Sequence, residues 1–139
     1  MTDPVPPRNS AMAVAASALK AQQSRMRVIA ENIANAQSTA QAAGGEPYRR
    51  QIPVFQAREI DGATGVTLAE VRPDQSDFRS EYDPSHPAAN AEGYVLRPNV
   101  DTLVEAMDMR EAQRAYEANL NVIETARSMD NRTLDILKK

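Results

Sequence analysis

Four carboxylates and one imidazole gather within thirteen positions near the middle of the chain: Asp74, Asp77, Glu81, Asp83 and His86. Paired carboxylates can hold a divalent cation or do acid–base work, and histidine can act as a general base. The spacing lacks the glycine and the terminal glutamate register of an EF-hand loop. A solvated acidic loop is the expectation. His86 lies between Ser85 and Pro87, with Pro84 just before, a context in which it fixes a turn. It is the only histidine. That removes any His–His metal pair and leaves a Ser-His-Asp triad resting on one residue. With no cysteine, disulfides, thiolate metal sites and cysteine nucleophiles are excluded. Gly44-Gly45 is not followed by the lysine and hydroxyl residue of a phosphate loop, so it reads as a hinge. No catalytic residue, cofactor, metal or small-molecule substrate is expected.

The asparagines are more informative. A buried asparagine in a helical seam costs stability but fixes register and partner choice. Asn32 and Asn35 flank the end of one apolar stripe and Asn119 sits within another. Asn35 also reads simply as an exposed helix-end residue. Arg114 and Tyr116 can pair across a helix interface as a planar donor and an amphipathic anchor. Otherwise Arg114 pairs with Glu111, three residues earlier.

The elements that must carry these residues follow from proline and glycine. Neither type occurs from Arg8 to Ala43 or from Asn99 to Lys139. Both interrupt helices, so the chain reads as helix, broken middle, helix. The first stripe is Met12, Ala16, Leu19, Gln23, Met26, Ala30 and Ile33, spaced as a heptad seam. Asn9 or Ser10 is placed to cap its start, and it should fade near Ala36. The second seam is Ala112, Ala115, Asn119, Val122, Ala126, Met129, Thr133 and Ile136. Thr102 with Glu105 fits a capping box, with Asn99 and Asp101 as competing caps. A helix from Asn99 to Lys139 would span about 60 Å, long for a chain of this mass.

The middle reads as short strands. Gln51 to Ile60 is β-branched and aromatic, with Pro53 demoting it to an edge. Residues 61–65 form a hairpin-type turn into Val66 to Val71. Gly93 to Leu96 is a last short strand. The expected fold is α+β: two long terminal helices pairing as a coiled coil around a small β-rich insert. Its boundaries are an N-terminal tail at 1–9, the first helix and hinge at 10–43, the insert at 44–98 and the last helix at 99–139.

Composition sharpens this. There are 23 alanines, against 25 residues of Leu, Ile, Val and Phe together in 139. The latter share, about 18%, is low for a self-sufficient globule. An alanine buries little apolar surface, so a large pocket is not expected. Net charge is −3 and 13 scattered arginines form no basic run. That argues against nucleic acid as a partner. No run of apolar residues is long enough for a transmembrane helix. Ala16-Ser17-Ala18 imitates a signal-peptide cleavage site, but the helical pattern runs straight through it.

The same residues carry a family resemblance. Ser17-Ala18-Leu19, Ala21-Gln22, Arg25-Met26 and Asn32-Ile33-Ala34-Asn35-Ala36 resemble the N-terminal signature of bacterial flagellar rod and hook proteins. Tyr48-Arg49-Arg50, Asp83-Pro84-Ser85-His86-Pro87, Gly93-Tyr94-Val95 and Pro98-Asn99-Val100-Asp101 resemble a short proximal-rod member. Ala112, Arg114, Tyr116, Ala118-Asn119 and Met129 complete the C-terminal signature. The match runs from about residue 10 to the end. Met1 to Asn9 departs from it, and Asn90 stands where many members carry an acid.

The resemblance implies a structural subunit of the flagellar basal body, exported uncleaved by the flagellar type III apparatus. It implies assembly in the periplasmic space with other copies and other rod proteins. The product would be a helical tube that transmits motor torque and passes exported subunits. Non-closing heterologous contacts generate such tubes, and exposed seams need partners. The expected subunit-interface residues are Leu19, Met26, Ile33, Tyr116, Asn119, Val122 and Met129. Asn32, Asn35 and Arg114 are expected to set orientation and register. A soluble coiled-coil chaperone or adaptor is the competing reading.

Overall fold

Asp61 and Gly62 turn the chain back on itself between its two longest strands. Both have positive φ, 50° and 82°, as a type I′ turn requires. The turn is therefore tighter than the five residues expected from sequence. It joins β1 (Gln51–Ile60) to β2 (Ala63–Pro73) in an antiparallel hairpin. The register shifts between Val54 and Phe55, which leaves Ala69 as the extra residue of a bulge. A second antiparallel pair joins β3 (Arg79–Tyr82) to β4 (Tyr94–Arg97). The sequence pattern suggested β4 but not β3, whose four residues are all exposed and carry no alternation.

The computed structural model describes residues 8–138, with side chains from Ser10 onward. Most of the expected tail at 1–9 thus lies outside the described residues. Helix α1 spans Arg8–Ala34 and α2 spans Thr102–Leu137. The α+β class holds. Because α1 is already helical at Arg8, Asn9 and Ser10 lie within it and do not cap it. The cap of α2 is Asp101, whose side chain accepts from the Leu103 and Val104 N–H groups. Thr102 and Glu105 form no capping box, because Glu105 turns inward and is only 1% exposed.

The helices pack antiparallel. Asn32 of α1 meets Glu105 of α2, Arg25 meets Glu111, and Ala11 with Met12 share a notch with Ala126 and Met129. The hairpin lies along a second side of α1. Asn32 binds Gln51 at the hairpin base, and the Ser17 Oγ accepts from the Val66 N–H, where Val66 pairs with Ala57. Fifteen helical residues cover about 22 Å. Six strand residues cover about 20 Å. The two lengths match, so the hairpin runs nearly parallel to the helix. Close approach is enforced at Gly65, where a Cβ would sit 2.5 Å from Ile60 Cδ1 and 2.8 Å from Ser17 Oγ.

This two-sided packing corrects the seam expected on α1. Its buried residues are Ser10, Ala15, Ala21, Val28, Ile29 and Asn32, whereas Ala16, Gln23, Ala30 and Ile33 are exposed. A helix with one partner shows one stripe; a helix with two shows a wide face that a heptad template cuts across. On α2 the expected seam holds at Ala112, Ala115, Asn119 and Ala126. Between them Ile123 turns inward in place of Val122. A straight helix drifts about 20° per heptad, which moves the buried stripe by this amount.

Candidate assembly interface and the joint behind it

Five of the nine buried apolar residues among those described are alanine. Apolar burial is correspondingly thin, and polar contacts carry much of the positioning. They converge where the hairpin base, α1 and the start of α2 meet. Three consecutive residues point three ways. The Tyr48 hydroxyl donates to Asn32 Oδ1 at 2.7 Å. Arg49 donates to the Asp74 and Ser76 carbonyls and stacks over the Phe78 ring at 4.1 Å. Arg50 donates through Nε to Glu105 and through Nη1 to Asp74 at 3.1 Å, with Asp108 at 3.9 Å.

Asn32 completes the joint. Its amide donates to the Gln51 carbonyl and accepts from the Gln51 N–H, both at 2.9 Å. That pair of bonds imitates a strand partner and locks the hairpin base to α1. Asn99 accepts from the Arg50 N–H and donates to Asp74 and Ser76. Burial raises the pKa of Tyr48, helped by the charges of Glu31 and Glu105, so the phenol stays a donor. Burial alone would lower that of Arg50, but the bonds and charges of Glu105 and Asp74 outweigh it and raise it. Asp74 is held below the usual carboxylate range, first by the Ser76 N–H and then by the Ser76 hydroxyl and Arg50, which overcome its burial.

The acidic cluster does not converge. Asp74 faces Arg50, Glu81 pairs with Arg97, and Asp83 accepts from Ser85. His86 fixes its turn as expected: Nδ1 accepts from the Ala88 N–H at 3.0 Å. Asn90 Oδ1 accepts from the Glu92 and Tyr94 N–H groups, a role an acid in its place could also fill.

Beyond the joint, α2 changes character. From Leu120 onward its apolar residues are mostly uncovered. Val122 is 54% exposed, Met129 58%, Leu134 55% and Ile136 74%. Only Ile123, Ala126 and Asp130 are half-buried there. A helix whose last five turns leave their apolar residues mostly uncovered presents a surface for other chains.

Comparison with known proteins agrees. The flagella basal body rod protein model matches residues 12–42, and the flagellar basal body rod FlgEFG C-terminal model matches residues 91–136. The flagellar basal-body rod protein FlgC of Agrobacterium fabrum is 45% identical over 135 residues, covering 95% of this chain and 96% of that protein. The chain belongs to the FlgC family of flagellar basal-body rod proteins. FlgC of Escherichia coli O6:H1 is 42% identical, covering 88% of this chain and 92% of its own, and FlgC of Bacillus subtilis is 39% identical, covering 90% and 95%. The protein is a structural subunit of the basal-body rod, which assembles with other rod components, and the family is not an enzymatic one.

The expected interface residues of this FlgC-family chain fall into three groups. Asn32 is 1% exposed and spends its bonds within the chain. Leu19, Met26, Tyr116 and Asn119 are half-buried. Asn119 donates to the Ala115 carbonyl of its own helix at 2.8 Å. Ile33, Arg114, Val122 and Met129 are exposed. Asn35 is half-buried and donates to the Glu31 carbonyl at the end of α1. Arg114 does not pair with Glu111, which reaches Arg25 across the helix pair at 3.5 Å. Sequence reading gave Glu105 to a cap and Arg50 only to the family likeness, and missed their pairing. One signal was present: Glu105 stands seven residues before Ala112, so the second seam extended backward puts a carboxylate on its buried side.

Proposed function

We propose that the subunit leaves the cytoplasm uncleaved through the flagellar type III export apparatus and joins the proximal rod in the periplasmic space. There, copies of it and other rod proteins stack into a helical tube that transmits motor torque and passes exported subunits through its lumen. The observation that carries this reading is the uncovered apolar surface on the last half of α2 of a rod-family chain. Burying one leucine or isoleucine is worth roughly 1.5–3 kcal/mol. Leu134, Ile136 and Leu137 could thus contribute several kcal/mol to each subunit contact. Val122, Met129, Ile33 and Arg114 are the residues of the expected set that neighbours can reach. Leu19, Met26, Tyr116 and Asn119 would contribute the edges of the same faces, and Asn35 the helix end.

Complementation tests it. In cells lacking this chain, the wild type restores swimming. The double variant Leu134→Asp, Ile136→Asp is exported to the medium but absent from isolated basal bodies. Normal rod incorporation of that variant contradicts the reading.

A further inference from the structure

The side of α1 that faces the hairpin leaves an open cleft of about 350 Å³ toward the hairpin tip. Three cationic side chains line it: Lys20 and Arg27 from α1 and Arg58 from β1. No aspartate or glutamate lines it. Among the described residues none of the three cations has an ion pair or side-chain hydrogen bond. Arg25, Arg50, Arg72 and Arg97, by contrast, each have a carboxylate partner. Three like charges left together around one concave surface set up a positive potential that a carboxylate-bearing segment relieves.

The complementary surface lies on the same chain. Glu46 and Glu92 are exposed, and Asp83 is half-exposed. None of the three is in an ion pair among the described residues. They sit on neighbouring loops, because the Gly44 N–H donates to the Ala88 carbonyl and the Asp83 N–H to the Gly93 carbonyl. This acidic face follows the C-terminal end of α1, while the cleft lies along the middle of α1. One copy therefore cannot satisfy itself.

We propose that the Lys20–Arg27–Arg58 cleft receives the acidic face of Glu46, Asp83 and Glu92 from a second copy of this chain. The two surfaces are different, so the contact is heterologous and repeats without closing on itself, which generates a helix. The proposal rests on the rod-assembly reading above and adds which faces of neighbouring copies meet. Because these charges are near the surface, the contact is sensitive to salt over a screening length of about 8 Å.

Charge reversal and cross-linking test it in whole basal bodies. The triple variant Lys20→Glu, Arg27→Glu, Arg58→Glu is expected to lower the chain's content in basal bodies at least tenfold. Reversing Glu46, Asp83 and Glu92 to lysine in the same chain should restore it. Undiminished incorporation of the triple variant, or no rescue by the second reversal, overturns the proposal. The chain has no cysteine, so Arg58→Cys with Glu92→Cys introduces the only thiols. A short bis-maleimide should link copies of that double variant into dimers and longer ladders, above either single variant. Only monomer in basal bodies of normal content overturns the proposal while leaving the rod-assembly reading standing. Absence of the wild-type chain from basal bodies overturns that reading itself.

Discussion

Helix α2 is one continuous element with two different halves. Its first half is covered by its own chain along one side, where Glu105 is buried against Arg50, Ala112 is fully buried, and Ala115, Tyr116 and Asn119 are half-buried, while Leu103, Val104 and Met107 in its first turns stay exposed. Its last half has the same apolar period but little of its own chain to cover it. The heptad-like sequence is nearly uniform along the helix. What differs is the supply of partners: Arg50 and the C-terminal half of α1 meet the first half, whereas only the first turns of α1 reach Ala126 and Met129. One periodic signal therefore serves two purposes, folding at one end and assembly at the other. The polar pins belong to the first purpose, and the bare aliphatic residues of the last half to the second.

Variants separate the halves, and the largest loss of monomer stability should come from the joint. Glu105→Ala leaves the partly buried Arg50 without its principal partner. Breaking a buried pair from one side costs about 3 kcal/mol or more. Urea denaturation of the full chain, followed by circular dichroism, should show it. Asn32→Ala strands the Gln51 N–H and carbonyl together with the Tyr48 hydroxyl, for a loss of about 2 kcal/mol by the same assay. Near-native stability in either variant would erase the distinction between a pinned half and an open one.

Gly65→Ala should come next. The added methyl meets Ile60 and the Ser17 hydroxyl, and overpacking of this kind costs about 1–2 kcal/mol. A smaller effect is expected from acid. The Asp74 pKa is lowered in the folded chain. Its contribution is fully present above the ordinary carboxylate value, near 4, and is lost as pH falls through the lowered folded value. Asp74→Asn should flatten that part of the stability–pH curve. The smallest effect belongs to the last half: Ile136→Ala should change monomer stability by less than about 0.5 kcal/mol, since the residue is already in water.

The outline of the fold was legible because local chemistry determined it. Stretches free of proline and glycine marked both helices, and Asp61-Gly62 marked the hairpin. Tertiary choices were not legible. The α1 stripe misled because Ser17, Ala21 and Val28 serve a different side from the residues facing α2. Thr102 and Glu105 matched a cap only until Arg50, 55 residues away in sequence, claimed Glu105. Tyr48-Arg49-Arg50 carried family likeness before it carried a mechanism. Its three side chains act on α1, on the 74–78 loop and on α2, contacts that no periodicity encodes. The exposed end of α2 was legible in part: Met129 and Val122 stood out as interface residues, while Ile136 was read only as a position of the seam.

Hydrogen exchange on the two states of the full chain tests the central claim most directly. Amide protection would be compared between the free subunit and the subunit in isolated basal bodies. Residues 102–119 should be protected in both, and residues 120–137 should gain protection of at least tenfold only on assembly. Equal protection of both halves in the free subunit, or an unprotected last half within the rod, would contradict the account.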